Sequence, residues 1–546
     1  MSSNARKVFT RGVYHIIVCP LQPVVATLKY RPGAKTEFRL VELQTFLSNN
    51  LVLICIVLFA VFILWVGIAP FFLFKRLGIP GPTPLPFIGN LLDVIKKKEE
   101  FLLNEDYVKK YGHICGYYLG MNPMLLVSDP EMIKQITVKE FNKFVNRPFA
   151  VAGGGGIPPT NKSLLSLLDD DWRRLRTTIT PVFSAAKMKQ VVPLINSSCS
   201  TLAKVFGKAA ESNSSIDVFR TYGKFTMEVI MSTAFGFESN SQTNPDDAFT
   251  PNAQKIFMAS AVTKLNVIFP FLKPLMLLYF GLGGGTGTEA GKSVAFVVET
   301  ARRMIKQRQE EGSSARKDLL ELMLSAEMKD EQGNKVQKLS EDETIAQCFT
   351  FILAGYETTS NALAYTSYLL ALNPDKQEKL FEEIDSVYDG KGEVTYDLVQ
   401  NMEYLDMVIN ESLRLYPPAF RYGRICNEDC TINGVRFEKG MSVLFPVYAI
   451  QRDPEHWPDP LKFEPERFTA EAKEKRHPFS FLPFGMGPRQ CIGMRFALVE
   501  AKMALTYLVK EYKLEPCPET EVPLDLKASI TMSPRNGIFL RIRKRY

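Results

Sequence analysis

The chain has 546 residues, 46% of them hydrophobic and 23% charged, with 34 glycines and 34 prolines. That balance excludes disordered, collagen-like and low-complexity proteins and leaves ample material for a large core. Its 66 basic and 59 acidic residues give a net charge of +7, mild and spread out, which argues against a nucleic-acid binder. The four histidines (His15, His113, His456 and His477) show no metal-ligand spacing, which argues against a His-based metal centre. The nine cysteines contain no C-x-x-C, which argues against a disulfide framework and for a reducing compartment.

Residues 1–36 contain no acid and, with the rest of 1–50, read as a basic N-terminal tail. The first strong element is Leu51–Phe74, 24 residues without a charge. As a helix it reaches about 36 Å, enough to cross a bilayer with some tilt, whereas a core helix usually stops nearer 10–14 apolar residues. No small-residue cleavage site follows, so the segment reads as a transmembrane anchor over 51–74. Basic residues flank it on both sides (Arg31, Lys35 and Arg39 before, Lys75 and Arg76 after), so charge alone does not orient it. Prolines 80, 82, 84 and 86 then stand at alternate positions, which marks 75–89 as a stiff hinge.

From residue 90 onward no second linker of this kind appears. Helical periodicity dominates, with strand-like stretches near 114–127, 430–446 and 536–543. The fold class this predicts is α+β, mostly helical, as one large domain over 90–546. Gly153–Gly156 and Gly281–Gly287 read as loops. The second leads to Gly291-Lys292-Ser293, but Thr286 stands where a phosphate loop needs its first glycine. Four N-x-S/T sequons, at Asn161, Asn196, Asn213 and Asn410, carry meaning only if the domain faces a lumen.

Ser340-Glu341-Asp342-Glu343 is a capping box, and the helix it starts runs to Leu372 before Asn373-Pro374 stops it. In its middle lies Ala354-Gly355-Tyr356-Glu357-Thr358-Thr359. Taken alone, a mid-helix threonine most often bonds back to the carbonyl four residues earlier. Further on, Gly487 and Gly493 bracket Cys491, Pro488 stiffens the turn, and an amphipathic helix follows with Phe496, Val499, Met503 and Tyr507 on one face. A cysteine at a helix N-terminus is favoured as a thiolate, and a thiolate in an apolar pocket suits a soft metal.

Phe484-x-x-Gly487-x-Arg489-x-Cys491-x-Gly493 resembles the haem-binding loop of the cytochrome P-450 family at every fixed position, and the likeness covers residues 70–546. It is nearest the animal microsomal drug-oxidising group that also contains thromboxane synthase. The resemblance implies heme b with Cys491 as axial thiolate, a ligand that favours O–O cleavage. It implies propionate contacts from Arg489, from Trp172 and Arg176 of a W-x-x-x-R motif, and from Arg424, with Phe484 opening the loop. One departure is Asn146, where close relatives carry arginine before Arg147. Ala354–Thr359 is similar to the family's oxygen-activation motif: Ala354 and Gly355 leave room, while Thr358 and Glu357 serve proton delivery. Glu411-x-x-Arg414, completed by Arg467, resembles the family's structural triad; Glu299–Arg302 and Glu464–Arg467 repeat the spacing without the order. The substrate pocket implied is apolar, from Phe149, Leu165, Leu353, Ala354, Ala419, Phe420, Tyr422 and Ile530.

By resemblance the chain is a monooxygenase of lipophilic substrates (xenobiotics, steroids or fatty acids) in the endoplasmic reticulum membrane, its catalytic domain facing the cytosol. Its partners are NADPH-cytochrome P-450 reductase and a b-type microsomal cytochrome, with Lys473, Lys475, Arg476, Arg495 and Lys502 as a basic docking face. No G-x-G-x-x-G follows a strand, so neither nicotinamide nor flavin is expected on this chain. Two rivals are a haem-thiolate isomerase of the thromboxane synthase type, which has no use for Glu357 and Thr358, and a non-catalytic membrane haem carrier or sensor.

Overall fold

The computed structural model describes residues 34–148, 158–257, 287–311, 318–325, 327–329 and 335–546, with a few isolated positions between 269 and 278. Phe149, the glycine run 153–156 and most of 281–287 lie outside the described residues. The chain divides into two compact units, Met1–Val66 and Gly67–Tyr546.

Helix α1 spans Ala34–Ile68. The stretch Asn50–Arg76 is long and apolar enough to cross a membrane, and only 6% of its most apolar window is buried. A core helix of the same composition would bury most of that surface.

In the large unit the alternate prolines dock instead of dangling: Gly116 N–H donates to Pro80 O at 2.8 Å, on the first strand. That strand, β1 (Ile114–Leu119), follows helix α2 (Glu100–Tyr111) and pairs antiparallel with β2 (Asn122–Val127). Later strands complete the sheet: β3 (Tyr422–Ile425) is antiparallel to β4 (Ser442–Phe445), which runs parallel to β2, in the order β1-β2-β4-β3.

Helices make the rest. Those used below are α3 (Asp169–Ile179), α4 (Ala185–Glu211), α5 (Val218–Phe235), α6 (Glu341–Leu372), α7 (Glu403–Leu415) and α8 (Met494–Glu511). The 32-residue α6 is the axis of the unit and packs on α5, α7 and α8. Its capping box forms as expected, with Ser340 Oγ accepting from Glu343 N–H and Glu343 Oε2 accepting from Ser340 N–H. Two short strands close the chain's last hairpin, β5 (Leu526–Ala528) and β6 (Met532–Pro534). Tyr365 Oη of α6 donates to Met532 O at 3.0 Å and ties that hairpin to the axis.

The mixed, mostly helical architecture is the one read from periodicity. One sequon is disqualified by it: Asn196 is buried in α4, its amide bonded to Val394 and to Tyr507 Oη.

Candidate active site

The site is built from three places in the chain that the fold brings into one region. The first is the cysteine loop. Gly485 and Gly487 take φ of +67° and +74°, and a Cβ on Gly487 would stand 2.0 Å from Thr137 O, so only glycine fits that turn. Cys491 N–H donates to Phe484 O at 2.9 Å, which closes the loop. Helix α8 starts at Met494 with Gly493 as its N-cap, so Cys491 lies just ahead of the helix and not on it. Its side chain is exposed, yet enough protein surrounds it for burial to act on the thiol. Burial pushes its pKa up, while the Gly493 backbone and the Arg147 and Arg176 guanidiniums pull it down.

The second place is a cradle of four arginines, Arg147, Arg176, Arg424 and Arg489. Arg489 is 3% exposed, lies 3.9 Å from the centre of the Trp172 ring, and spends its donors on the carbonyls of Val145 and Leu167. Arg147 donates to Arg489 O at 3.3 Å. Arg424 is 2% exposed and its Nε finds no partner. Burial first, then the neighbouring Arg147, Arg424 and Arg176, push the Arg489 pKa down to about 8. A guanidinium keeps its charge in proteins, so that shift measures electrostatic crowding. None of the four forms an ion pair with a carboxylate among the described residues. Asp169 acts on Arg489 from a distance but is held by Asn146 and Asn427. Arg424 and Arg489 buried and Arg147 and Arg176 half-buried, none with a described carboxylate partner, fit a bound dianion, and the two carboxylates of a haem supply one.

Asn146 stands at the sequence departure noted above. Its amide bridges Asp169 and Asn427 at 2.8 and 3.3 Å, and its carbonyl accepts from Ile425 N–H. Arg147, which the motifs did not flag, acts on the Cys491 thiol together with Arg176. The absence of any acid within two residues of Arg147 was the available signal.

The third place is the middle of α6. Ala354 is exposed and Leu353, Gly355, Glu357 and Thr358 around it are half-buried, so the otherwise buried axis helix is least covered at that point. Thr358 Oγ1 donates to Ala354 O at 2.5 Å, the ordinary back-bond of a helical threonine. Gly355 is a correction to the expectation that it leaves room for a ligand. A Cβ there would stand 2.3 Å from Ile230 Cδ1, so Gly355 serves close packing of α6 on α5. Glu357 is mostly buried, its Oε2 has no hydrogen-bond partner, and burial pushes its pKa up to about 7. Thr531 is close enough to lower that value slightly, although the two groups make no hydrogen bond of good geometry.

Behind the site, Arg414 and Glu411 are fully buried and paired at 2.7 and 2.8 Å, with Arg467 3.4 Å from Glu411. Arg414 also binds the carbonyls of Gln451 and Pro460. By contrast, Glu299–Arg302 is an exposed surface pair.

The expected pocket residues are less uniform. Leu353 and Phe484 border the main core, Leu165 is 39% exposed, and Ile530 is exposed at the tip of the β5–β6 hairpin. Phe420 packs against Phe101 and accepts from Tyr448 N–H at 3.0 Å through its carbonyl, and the Tyr422 ring lies beneath Arg424 and against Phe445. Ala419 lies beside them in the lead into β3. Of the expected docking residues, Lys502 is buried and bound to Asp406 at 2.9 Å, and Arg476 is stacked 4.1 Å from the Trp457 ring. Lys502 is therefore not a docking residue: it was read as surface and packing took it inside, while Arg476 is half-buried and spent on the ring.

A family model described as Cytochrome P450 matches residues 79–541. The chain belongs to the cytochrome P450 family. It is 39% identical over 477 residues to cytochrome P450 3A29 of Sus scrofa, covering 87% of this chain and 92% of the relative. It is 40% identical to cytochrome P450 3A2 of Rattus norvegicus and 38% identical to cytochrome P450 3A7 of Homo sapiens, with the same two coverages. This P450 is therefore a haem-thiolate monooxygenase that takes haem b on a cysteine thiolate and receives electrons from a reductase. The isomerase and the haem carrier are not favoured.

Proposed function

We propose that Cys491 is the axial ligand, that Arg147, Arg176, Arg424 and Arg489 hold the haem carboxylates, and that Glu357 and Thr358 deliver protons. The observation that carries this reading is the uncompensated arginine cradle beside an exposed thiol. The bound haem supplies reductive activation of O2. The overall reaction consumes two protons and two electrons, leaving one oxygen atom in product and one in water. The polypeptide's part is to bind, to exclude bulk water and to move those protons. Glu357, poised near pH 7, loses a proton towards the Thr358 hydroxyl, which can turn from Ala354 O to pass it on.

The substrates are lipophilic xenobiotics and steroids, taken through the apolar surface around Leu353 and Ala354. The anchor, over 51–74, holds the enzyme in the endoplasmic reticulum membrane with residues 90–546 in the cytosol, and 75–89 sets their attitude. The electron donor is NADPH-cytochrome P-450 reductase, with a b-type microsomal cytochrome as a second. A groove of about 530 Å³ lined by Lys139, Trp172, Arg173, Arg176 and Pro488 opens on the cysteine-loop side and supports docking of an acidic partner there.

Cys491→Ala should lose the long-wavelength band of the reduced, carbon monoxide-bound spectrum, while Cys426→Ala and Cys430→Ala keep it. Retention of the band in Cys491→Ala would remove the axial assignment.

A further inference from the structure

Glu357 has two neighbours that the proton reading above does not use, and both come from the β5–β6 hairpin. Thr531 sits in the turn, 5% exposed, with its hydroxyl buried and without a hydrogen-bond partner. Lys527 lies on β5, opposite Ser533, with its side chain exposed to solvent. The hairpin is held on α6 by Tyr365 Oη to Met532 O at 3.0 Å and braced from the other side by Met532 N–H to Pro418 O at 2.9 Å. Glu99 fixes its outer edge, accepting from Ala528 N–H at 2.7 Å and pairing with Arg535 at 2.6 Å. Glu357 Oε2 and the Thr531 hydroxyl are both buried and make no hydrogen bond of good geometry, yet the two stand close enough to act on one another. Buried polar groups left so are costly unless water or function uses them.

We propose that Thr531 and Lys527 are the solvent-side positioning residues of the Glu357 proton route, with Thr531 as the relay into the protein and Lys527 as the charge at its mouth. The proposal rests on the reading that Glu357 delivers protons. The bookkeeping is simple. When Glu357 gives its proton inward it becomes a carboxylate; the Thr531 hydroxyl donates its own proton to that oxygen and takes one from water on the Lys527 side. No bond between heavy atoms forms or breaks, and the protons come from solvent. Lys527 stabilises the transient carboxylate across the gap, which keeps the acid from staying neutral once buried. Lys527 is the charged group that acts on Glu357 in this structure, while Tyr356 and Tyr365 of α6 feel the Glu357 charge as neutral phenols.

The test uses the holoenzyme and two independent readouts. Infrared titration follows the carboxylic acid band that Glu357→Gln removes; Thr531→Val and Lys527→Gln should each move its midpoint to higher pH, and Lys527→Arg should restore it. Product formed per NADPH should fall by roughly two- to fivefold in Thr531→Val, less than the ~10²-fold of a full general acid because water can replace the hydroxyl. The solvent isotope effect on product formation should rise with it. Unchanged midpoints and unchanged coupling in both variants, with Glu357→Gln still uncoupled, would overturn the proposal alone. If Glu357→Gln is itself fully coupled, the underlying proton reading fails, whatever the infrared midpoints do.

Discussion

Glu357 is an acid whose environment sets it to titrate where the enzyme works. Burial pushes its pKa up to about 7, so it is protonated below that pH and ionised above it. A raised carboxyl stabilises the fold fully below its unfolded value near 4.3, and that contribution is lost as pH rises through about 7. Product per NADPH should therefore decline above pH 7 in the wild type, and Glu357→Gln should lack that step. Thr358→Ala should consume NADPH while forming less product and more peroxide; coupling that stayed at the wild-type ratio would remove Thr358 from the route. The cysteine loop and the acid–threonine pair were legible in the sequence because each is a short run of constrained residues. Arg147 was not, because what brings it to the cysteine loop is its contact with Arg489, 342 positions away, and no local pattern encodes that. Gly355 was misread for the same reason: its neighbour, Ile230, is on another helix.

At the scale of elements, α6 shows how packing and site compete for one helix. Its start and stop were readable from Ser340, Glu343 and Asn373-Pro374, since caps are local chemistry. Which face turns to α5 was not, because apolar and polar residues alternate around the helix without one dominant apolar stripe. The Gly355–Ile230 approach predicts a specific defect. Gly355→Ala should destabilise by about 1–3 kcal/mol through overpacking, despite alanine's better helix propensity. Ile230→Ala in the same chain should recover much of that loss, measured as a double-mutant cycle in urea. Additive effects would mean that α6 and α5 do not share this contact.

At the scale of the whole molecule, the reductase reading depends on which charges reach solvent. Lys139 and Arg173 are exposed beside the Pro488 groove, and Lys473, Lys475 and Arg495 remain on the surface. Reversing Lys139 and Arg173 to Glu should raise the reductase concentration needed for half-maximal turnover and leave the haem spectrum intact. The wild type should respond to salt in the same direction, since the Debye length is about 10 Å at 0.1 M. Orientation has its own check at Asn161 and Asn213, whereas Asn196 is buried and cannot report. An endoglycosidase-sensitive shift at either exposed sequon would put the domain in a lumen and end the partnership with a cytosolic reductase.

The arginine cradle concentrates positive charge that two bound carboxylates would offset in part. Among the described residues these four guanidiniums crowd one another and none is paired with a carboxylate. Folding and haem capture are then one equilibrium, and the stability of the folded chain rises with free haem as RT ln(1 + [L]/Kd). Haem with both carboxylates esterified should bind at least about tenfold more weakly, since each lost charge-assisted contact is worth roughly 1.5–3 kcal/mol. In a cell the consequence is supply control. When haem is scarce the protein should be short-lived and scarce too, its abundance tracking the cofactor and not its own messenger.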